Sequence, residues 1–319
     1  MHRDEATGYR VIREPDLSLI HDATLAVLEK TGLKVLSKEA RNIYCEAGCL
    51  VCENTNMVRI PAKLIEFAVD AAPERVMLAS RDGNHDVVLD GEKVLFKNFA
   101  TGVKVLDPYT GNLRDSTKED LGNIARFCDA LEEVDFFTLA VAAQDIHPGV
   151  RDLYEAEAVL NNTSKHFSHD TQSRENTRRF LAMAEAIAGG REQLRERPIV
   201  SLGTCPVSPL ELHEECTELI IEAAEAGVPV NILSMGLAGA TTPVTLAGTL
   251  VVTNAEVLGG ILLGQLVREG TPVIYGTSNT VMDMLQTTSP VGAPEHAMLS
   301  SAVGQLGQYY SIPTNVGGT

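Results

Sequence analysis

Apolar positions along the chain change their period twice. Between residues 15 and 75 they recur at helical spacing: "DLSLIHDATLAVLEKTG" repeats them every three or four residues and stops at Gly32, and "PAKLIEFAVDAAP" makes a short helix between two prolines. From 76 to 114 the pattern becomes paired short runs. "VVLDGEKVLF" holds Asp90-Gly91 between two apolar stretches, and "VKVLDPYTGNL" holds Pro-Tyr-Thr-Gly between two more, which predicts two β-hairpins. At Ser116 or Thr117, with Glu119 and Asp120 following, a capping pattern opens a helix over "KEDLGNIARFCDALEE".

Beyond that helix a rhythm sets in. Apolar runs from residues 134, 165, 198, 229, 272 and 313 alternate with helical stretches, at a period that suits a strand plus its crossover helix. The runs are continuous rather than alternating, as strands buried on both faces should be. Each closes on small or polar residues: Gln144-Asp145, His169-Asp170-Thr171, Thr204-Cys205, Ser234-Met235, Thr277-Ser278-Asn279 and Gly317-Gly318-Thr319. An open doubly wound sheet would show a Gly-rich phosphate loop after its first strand, and "VAAQDIHPG" is not one. The predicted fold is α/β, a (β/α)8 TIM barrel whose active site lies at those strand ends. Residues 1–115 form an N-terminal helical and β-hairpin extension, and 116–319 form the barrel. Six strands are visible where a barrel has eight, so the barrel is expected to be C-terminally incomplete, with two exposed parallel edges and a homo-oligomer to cover them.

Charge narrows the partners. Lys and Arg number 26 against 43 Asp and Glu, a net charge of −17, which repels nucleic acid and anionic lipid and leaves a cationic ligand open. The longest apolar run, Leu246 to Val267, carries Thr249, Thr253, Asn254, Glu256 and Gln265 and reads as too polar for a bilayer span. No apolar signal core follows "MHRDEATGYR", so a cytoplasmic location is expected. The six cysteines read as free thiols.

Three motifs bear on chemistry. Cys45, Cys49 and Cys52 have the C-x3-C-x2-C spacing that holds a [4Fe–4S] cluster in radical S-adenosylmethionine enzymes, but they precede any barrel unit, and buried small residues are the favoured reading. Asp145, His147 and Gly149 approach a corrinoid-binding D-x-H-x-x-G pattern with the glycine one position early, so no bound cofactor is expected in this chain. In "HFSHD", strand alternation puts His166, Ser168 and Asp170 on one side and His169 on the other. No set of metal ligands converges. By strand-end position the substrate pocket is assigned to Asp145, His169, Asp170, Cys205, Met235, Thr277, Asn279, Gly317 and Gly318. Cys205 reads as structural, since a nucleophile needs a base that the sequence does not place.

The stretch "GLAGATTPVTLAGTLVVTNAEVLGGILLGQLVREGTPVIYG", residues 236–276, resembles the trimethylamine methyltransferase family. The resemblance runs on through "MDM" and "PVGAPEHAMLSSAVGQLGQYYSIPTNVGG" and back through "CPVSPLEL", "VRIPAKLIEFAVDAAP" and "IHDATLAVLEKTGLKV". It implies a (β/α)8 barrel that moves a methyl group from a small methylated amine to the Co(I) corrinoid of a separate, cognate corrinoid protein, the corrinoid being supplied by that partner. It also implies that in trimethylamine-specific members pyrrolysine, encoded by an in-frame amber codon, follows the Gly-Gly strand end. Pyrrolysine is therefore expected immediately after Thr319, with this chain the part before it. A branch of the family without pyrrolysine demethylates quaternary amines such as glycine betaine, whose leaving group is already a neutral amine. An amine-binding module without catalysis is the reading from another class.

Overall fold

A computed structural model describes residues 10–317 apart from residue 92. Helix α1, Glu14–Lys30, carries Pro15 in its first turn and buries Leu17, Ile20, Thr24 and Leu28. It stops at Gly32, whose φ is +86° and whose Cβ would stand 2.3 Å from the Val58 carbonyl oxygen, so only glycine fits there. The helical reading of 15–75 then needs correction. Strand β1 (Leu33–Val35), helix α2 (Lys38–Glu46), strands β2 (Leu50–Cys52) and β3 (Met57–Arg59) and helix α3 (Ala62–Ala71) follow one another. β1 buries Leu33 and Val35 and turns Lys34 outward, an alternation of three residues that is too short to register as a period.

Of the two predicted hairpins, one holds and one is displaced. Strands β4 (Val76–Leu78) and β5 (Val87–Leu89) pair antiparallel, so the turn lies between 79 and 86 rather than at Asp90-Gly91. Asp86 closes that loop: it accepts hydrogen bonds from the Ser80 amide and hydroxyl and pairs with Arg197. β6 (Lys104–Leu106) and β7 (Leu113–Asp115) pair as predicted. Arg114 ties this second hairpin through Asp107 and Asp120 to helix α4, Lys118–Asp129, which opens on a capping box of Thr117 and Asp120.

The rhythm after α4 is real. Strand β8 (Phe137–Thr138), helix α5 (Arg151–Leu160), β9 (Phe167–His169), helices α6 (Arg174–Ala188) and α7 (Arg191–Glu196), β10 (Val200–Thr204), β11 (Glu211–Leu212), α8 (Glu214–Ala226), β12 (Val230–Ser234), β13 (Leu237–Ala238), α9 (Leu246–Val267), β14 (Val273–Thr277), β15 (Thr280–Val281), α10 (Pro294–Tyr310) and β16 (Thr314–Val316) follow in order. Among the described residues the main sheet has six parallel strands in the order β8-β9-β10-β12-β14-β16, each beside its predecessor, which is the winding of a (β/α)8 barrel. The N-terminal region is built into this arc. β11, in the loop after β10, pairs with β1, while Val76 and Leu78 of the β4/β5 hairpin pack on Ile274 of β14 inside the arc. Hydrogen bonds from Ala79 to Pro198 and from Arg81 to Ser164 hold that hairpin at the N-terminal ends of the strands, so it plugs the barrel from below.

The expectation of two bare sheet edges is half right. Residues 96–102 form a strap along the outer edge of β8, with bridges Lys97 to Phe136 and Gly102 to Val141. The Asn98 amide donates to the Thr138 carbonyl at 2.9 Å and accepts from its N–H at 2.8 Å, so a side chain supplies what a neighbouring strand would. At the other end, β16 has no strand partner beyond β14 among the described residues.

Over an 18-residue window helix α9 is apolar enough, by length and composition, to cross a bilayer, contrary to the sequence reading. Burial identifies it as a core helix instead: 72% of that window is covered by the rest of the protein. A Cβ at Gly259 would stand 2.1 Å from Leu33 Cδ1, so glycine lets β1 press directly on the helix.

Candidate active site at the barrel mouth

Strand alternation sorts the side chains. On β9, Phe167 and His169 point outward to Phe180 of α6, at ring separations of 6.1 and 5.1 Å, while Ser168 and Asp170 face the barrel interior. His169 Nε2 donates to the Asp152 carbonyl at 2.9 Å, and burial pushes its pKa down, so it is a neutral ring between sheet and helices. Its place in the sequence-derived pocket list came from strand-end position alone; the geometry turns it away from the interior.

Asp170 is the residue that faces in. A Cβ at Gly203 would lie 2.3 Å from Asp170 Oδ1, so the carboxylate rests over a gap that only glycine on β10 leaves. Among the described residues it makes no hydrogen bond or salt bridge. Lys97 from the strap and Cys205 at the end of β10 share the same electrostatic neighbourhood. Burial pushes the Cys205 thiol up to about 12, with Asp170 adding to the rise, so it is a thiol and no nucleophile at neutral pH. Below them Asn231 on β12 is buried with its Oδ1 unpartnered. β14 passes Asn231 only because residue 276 is glycine: a Cβ there would stand 2.4 Å from Asn231 Oδ1 and 3.0 Å from the Ile232 carbonyl oxygen. Gly276→Ala is expected to destabilise by about 1–3 kcal/mol, because two backbone neighbours cannot yield; equilibrium urea unfolding reads it.

The other side of the mouth is tied by Asn279. Its Oδ1 accepts from the Gly236 N–H at 2.9 Å, its Nδ2 donates to Thr253 on α9, and its carbonyl accepts from His296 Nδ1 at 2.8 Å. His296 Nδ1 therefore donates, and its Nε2 is buried with no hydrogen-bond partner among the described residues. A Cβ at Gly317 would meet Ser278 Oγ at 2.8 Å and His296 Cε1 at 2.9 Å, so glycine lets the end of β16 close on β14. Thr277 is buried on the helix side with its Oγ1 unpartnered, and Met235 is exposed on the rim. Gly318 and Thr319 lie outside the described residues.

Asp145 and His147 are exposed and serve local turns: Asp145 Oδ1 accepts from the Lys118 N–H at the start of α4, and His147 Nδ1 from the Gly149 N–H. Cys49 is buried with its thiol pushed up to about 12, while Cys45 and Cys52 are exposed on different elements, and no group of three metal-ligating residues gathers among the described residues. The sequence reading missed Lys97, Asn231 and His296. Lys97 was hidden by the misplaced hairpin, Asn231 by an apolar run that gave no reason to single it out, and His296 by its place in a helix start.

Comparison with known proteins bears on the family and the fold. The profile of the trimethylamine methyltransferase (MTTB) family matches residues 2–319. The trimethylamine methyltransferase MttB of Desulfitobacterium hafniense is 48% identical over 316 residues, covering 99% of this chain and 64% of the relative. That of Methanosarcina barkeri is 44% identical, covering 95% and 62%. A glycine betaine methyltransferase of Desulfitobacterium hafniense is 30% identical over 97% of the chain and 64% of its own length. The chain thus spans less than two thirds of the curated relatives it matches. In fold it is similar to the crystal structure of the Methanosarcina barkeri monomethylamine methyltransferase MtmB, with a TM-score of 0.58, 10% identity, and coverage of 97% of this chain and 69% of that one.

Proposed function

We propose, on the premise that the chain belongs to the trimethylamine methyltransferase family, that the whole protein transfers a methyl group from trimethylamine to the Co(I) corrinoid of a separate corrinoid protein. The observation that carries the substrate class is Asp170, a carboxylate over Gly203 at the mouth with no hydrogen bond or salt bridge among the described residues. Trimethylamine is a cation in neutral water, and a carboxylate at the edge of a partly desolvated site favours it over neutral molecules of the same size. The barrel's share of the work is to bind and orient the amine so that one methyl faces the incoming acceptor. Pyrrolysine after Thr319 belongs to this reading: its imine would help orient a donor whose leaving group is poor, and the codon following Thr319 tests it.

Identity favours the tertiary amine, at 48% to the trimethylamine enzyme against 30% to the glycine betaine enzyme. The deciding assay gives the full-length enzyme and its corrinoid protein each donor in turn. Methyl transfer from trimethylamine supports the proposal; transfer from glycine betaine alone, with trimethylamine inert, replaces it with the quaternary-amine reading. Binding of trimethylamine with no transfer to any Co(I) corrinoid would leave an amine-binding module. Asp170→Asn in the full-length protein is expected to weaken trimethylammonium binding about tenfold by calorimetry, the loss of one charged contact. Unchanged affinity would remove Asp170 from the site.

A further inference from the structure

Charge is spread unevenly around the mouth. The loop from β12 to α9, residues 235–245, and the loop from β14 to α10, residues 278–293, carry between them one charged side chain, Asp283, in a chain where 22% of residues are charged. The loops on the far side are ordinary surface, with Asp145 and His147 exposed beside the start of α4.

Both uncharged loops are held firmly. β13 and β15 pair in parallel just beyond the ends of β12 and β14, the Thr280 N–H donating to the Gly236 carbonyl and the Met282 N–H to that of Ala238. Next, Asp283 folds the tip: its Oδ1 accepts from the Leu285 N–H at 2.9 Å and the Gln286 N–H at 3.0 Å, and its own N–H donates to the Thr288 carbonyl. The one carboxylate is thus engaged in holding the turn. What the turn presents outward is apolar, with Met284 70% and Leu285 88% exposed. The other loop meets it there: Val244 Cγ2 and Met284 Sδ lie 3.7 and 3.9 Å from the point where a Cβ on Gly239 would stand. Val244 is itself 76% exposed, and Met235 is exposed on the same loop. A fixed, charge-free cluster of apolar tips facing water marks a surface that meets something else.

We infer that Val244, Met284 and Leu285, with Met235 beside them, are the surface on which the corrinoid-carrying protein docks, an inference that rests on the methyl transfer proposed above. Place decides among occupants. The methyl acceptor reaches the mouth from outside and leaves again after each transfer, so its carrier has to touch the rim. A second copy of this chain seated there would shut the mouth against it. A bilayer would want Lys or Arg beside the apolar tips, and these loops have neither. The centre of a protein–protein contact is depleted in charge and enriched in Met, whose flexible thioether adapts to a partner that comes and goes. With no ion to strip of water, this is also the part of a strongly acidic protein that a partner covers at least cost.

The test uses the full-length enzyme, its Co(I) corrinoid protein and trimethylamine, with the variants L285D and M284D/L285D. A carboxylate set into the contact is expected to raise KM for the corrinoid protein about tenfold or more, and to weaken binding of that protein in sedimentation by the same factor. Calorimetric affinity for trimethylammonium should stay within about twofold of wild type, and so should kcat at saturating corrinoid protein. L113D, an exposed apolar position on the β6/β7 hairpin, should leave KM as it is. Wild-type KM and binding in M284D/L285D overturn the docking surface. A changed oligomeric mass in that variant overturns it in favour of a second copy, a melting temperature lowered by several degrees in favour of the enzyme's own chain, and flotation of wild type with phosphatidylcholine vesicles in favour of a membrane. If wild type moves no methyl from trimethylamine to the corrinoid protein, the proposed function fails first and this surface with it; transfer with unchanged KM in the variants fails the surface alone.

Discussion

Asn254→Leu is expected to lower the unfolding free energy by about 3–5 kcal/mol, among the largest effects of a single substitution in this chain. Asn254 sits fully buried on α9, and its amide is the junction of three helices and a strand. Nδ2 donates to Thr24 Oγ1 on α1 at 3.0 Å and to the Tyr310 hydroxyl on α10 at 2.8 Å, while Oδ1 accepts from the Tyr275 hydroxyl on β14 at 2.8 Å. Leucine preserves volume and apolar contact, so the loss measures polar satisfaction rather than a cavity. Thr24 keeps its bond to the Ile20 carbonyl and Tyr310 its contact with His21, but the Tyr275 hydroxyl is left alone in the core. Tyr275→Phe in the Asn254→Leu background should recover part of the stability, because it removes the orphaned group. Equilibrium denaturation of the full-length protein decides; a double variant less stable than the single one would show that the network matters less than ring packing.

Acid should open the bottom of the barrel. His166 is fully buried below the mouth: its Nδ1 lies 3.3 Å from the Ala79 carbonyl oxygen and 3.0 Å from that of Pro198, and its Nε2 lies 2.9 Å from Ser201 Oγ. Burial pushes its pKa down to about 4, against the ordinary 6.5. The unfolded chain therefore binds a proton between pH 6.5 and 4 that the folded chain refuses. Stability from this group is fully present above pH 6.5 and is lost as pH falls towards 4, up to about 3 kcal/mol. His166→Asn keeps a donor for the carbonyls and cannot charge, so its stability should lose less over the same range. Urea midpoints at pH 7 and pH 4 provide the comparison, with amide exchange in residues 76–89 reporting whether the plug loosens first. Equal acid losses in wild type and variant would remove His166 as the cause.

The barrel was legible in the sequence because its strands are covered on both faces and leave unbroken apolar runs. Each of the six predicted runs contains a strand of the main sheet, from Phe137–Thr138 to Thr314–Val316. The capping box at Thr117 and Asp120 was equally plain, since it needs only four consecutive residues. Long-range pairing was not legible. β5 chooses β4 over the segment after Gly91 because Val76 and Leu78 can reach Ile274, a neighbour no local pattern announces. The same lack of local signal hid half of the mouth. Asp170 was found because it ends a strand; alternation along "HFSHD" already set His169 on the opposite face, and strand-end position alone kept it in the pocket list. Lys97 comes from outside the barrel's own units, where strand-end reasoning does not look.

The plug and the N-terminal anchor also set a timetable for synthesis. The β4/β5 hairpin emerges early from the ribosome, yet its packing partner Ile274 is roughly 200 residues further on, a delay on the order of 10–40 s at ordinary translation speeds. The backbone N–H of Val11 waits longer still for Gln305, 294 residues away. Val76, Leu78 and the apolar face of α1 therefore lack their packing partners through most of translation, until α9, β14 and α10 emerge to cover them.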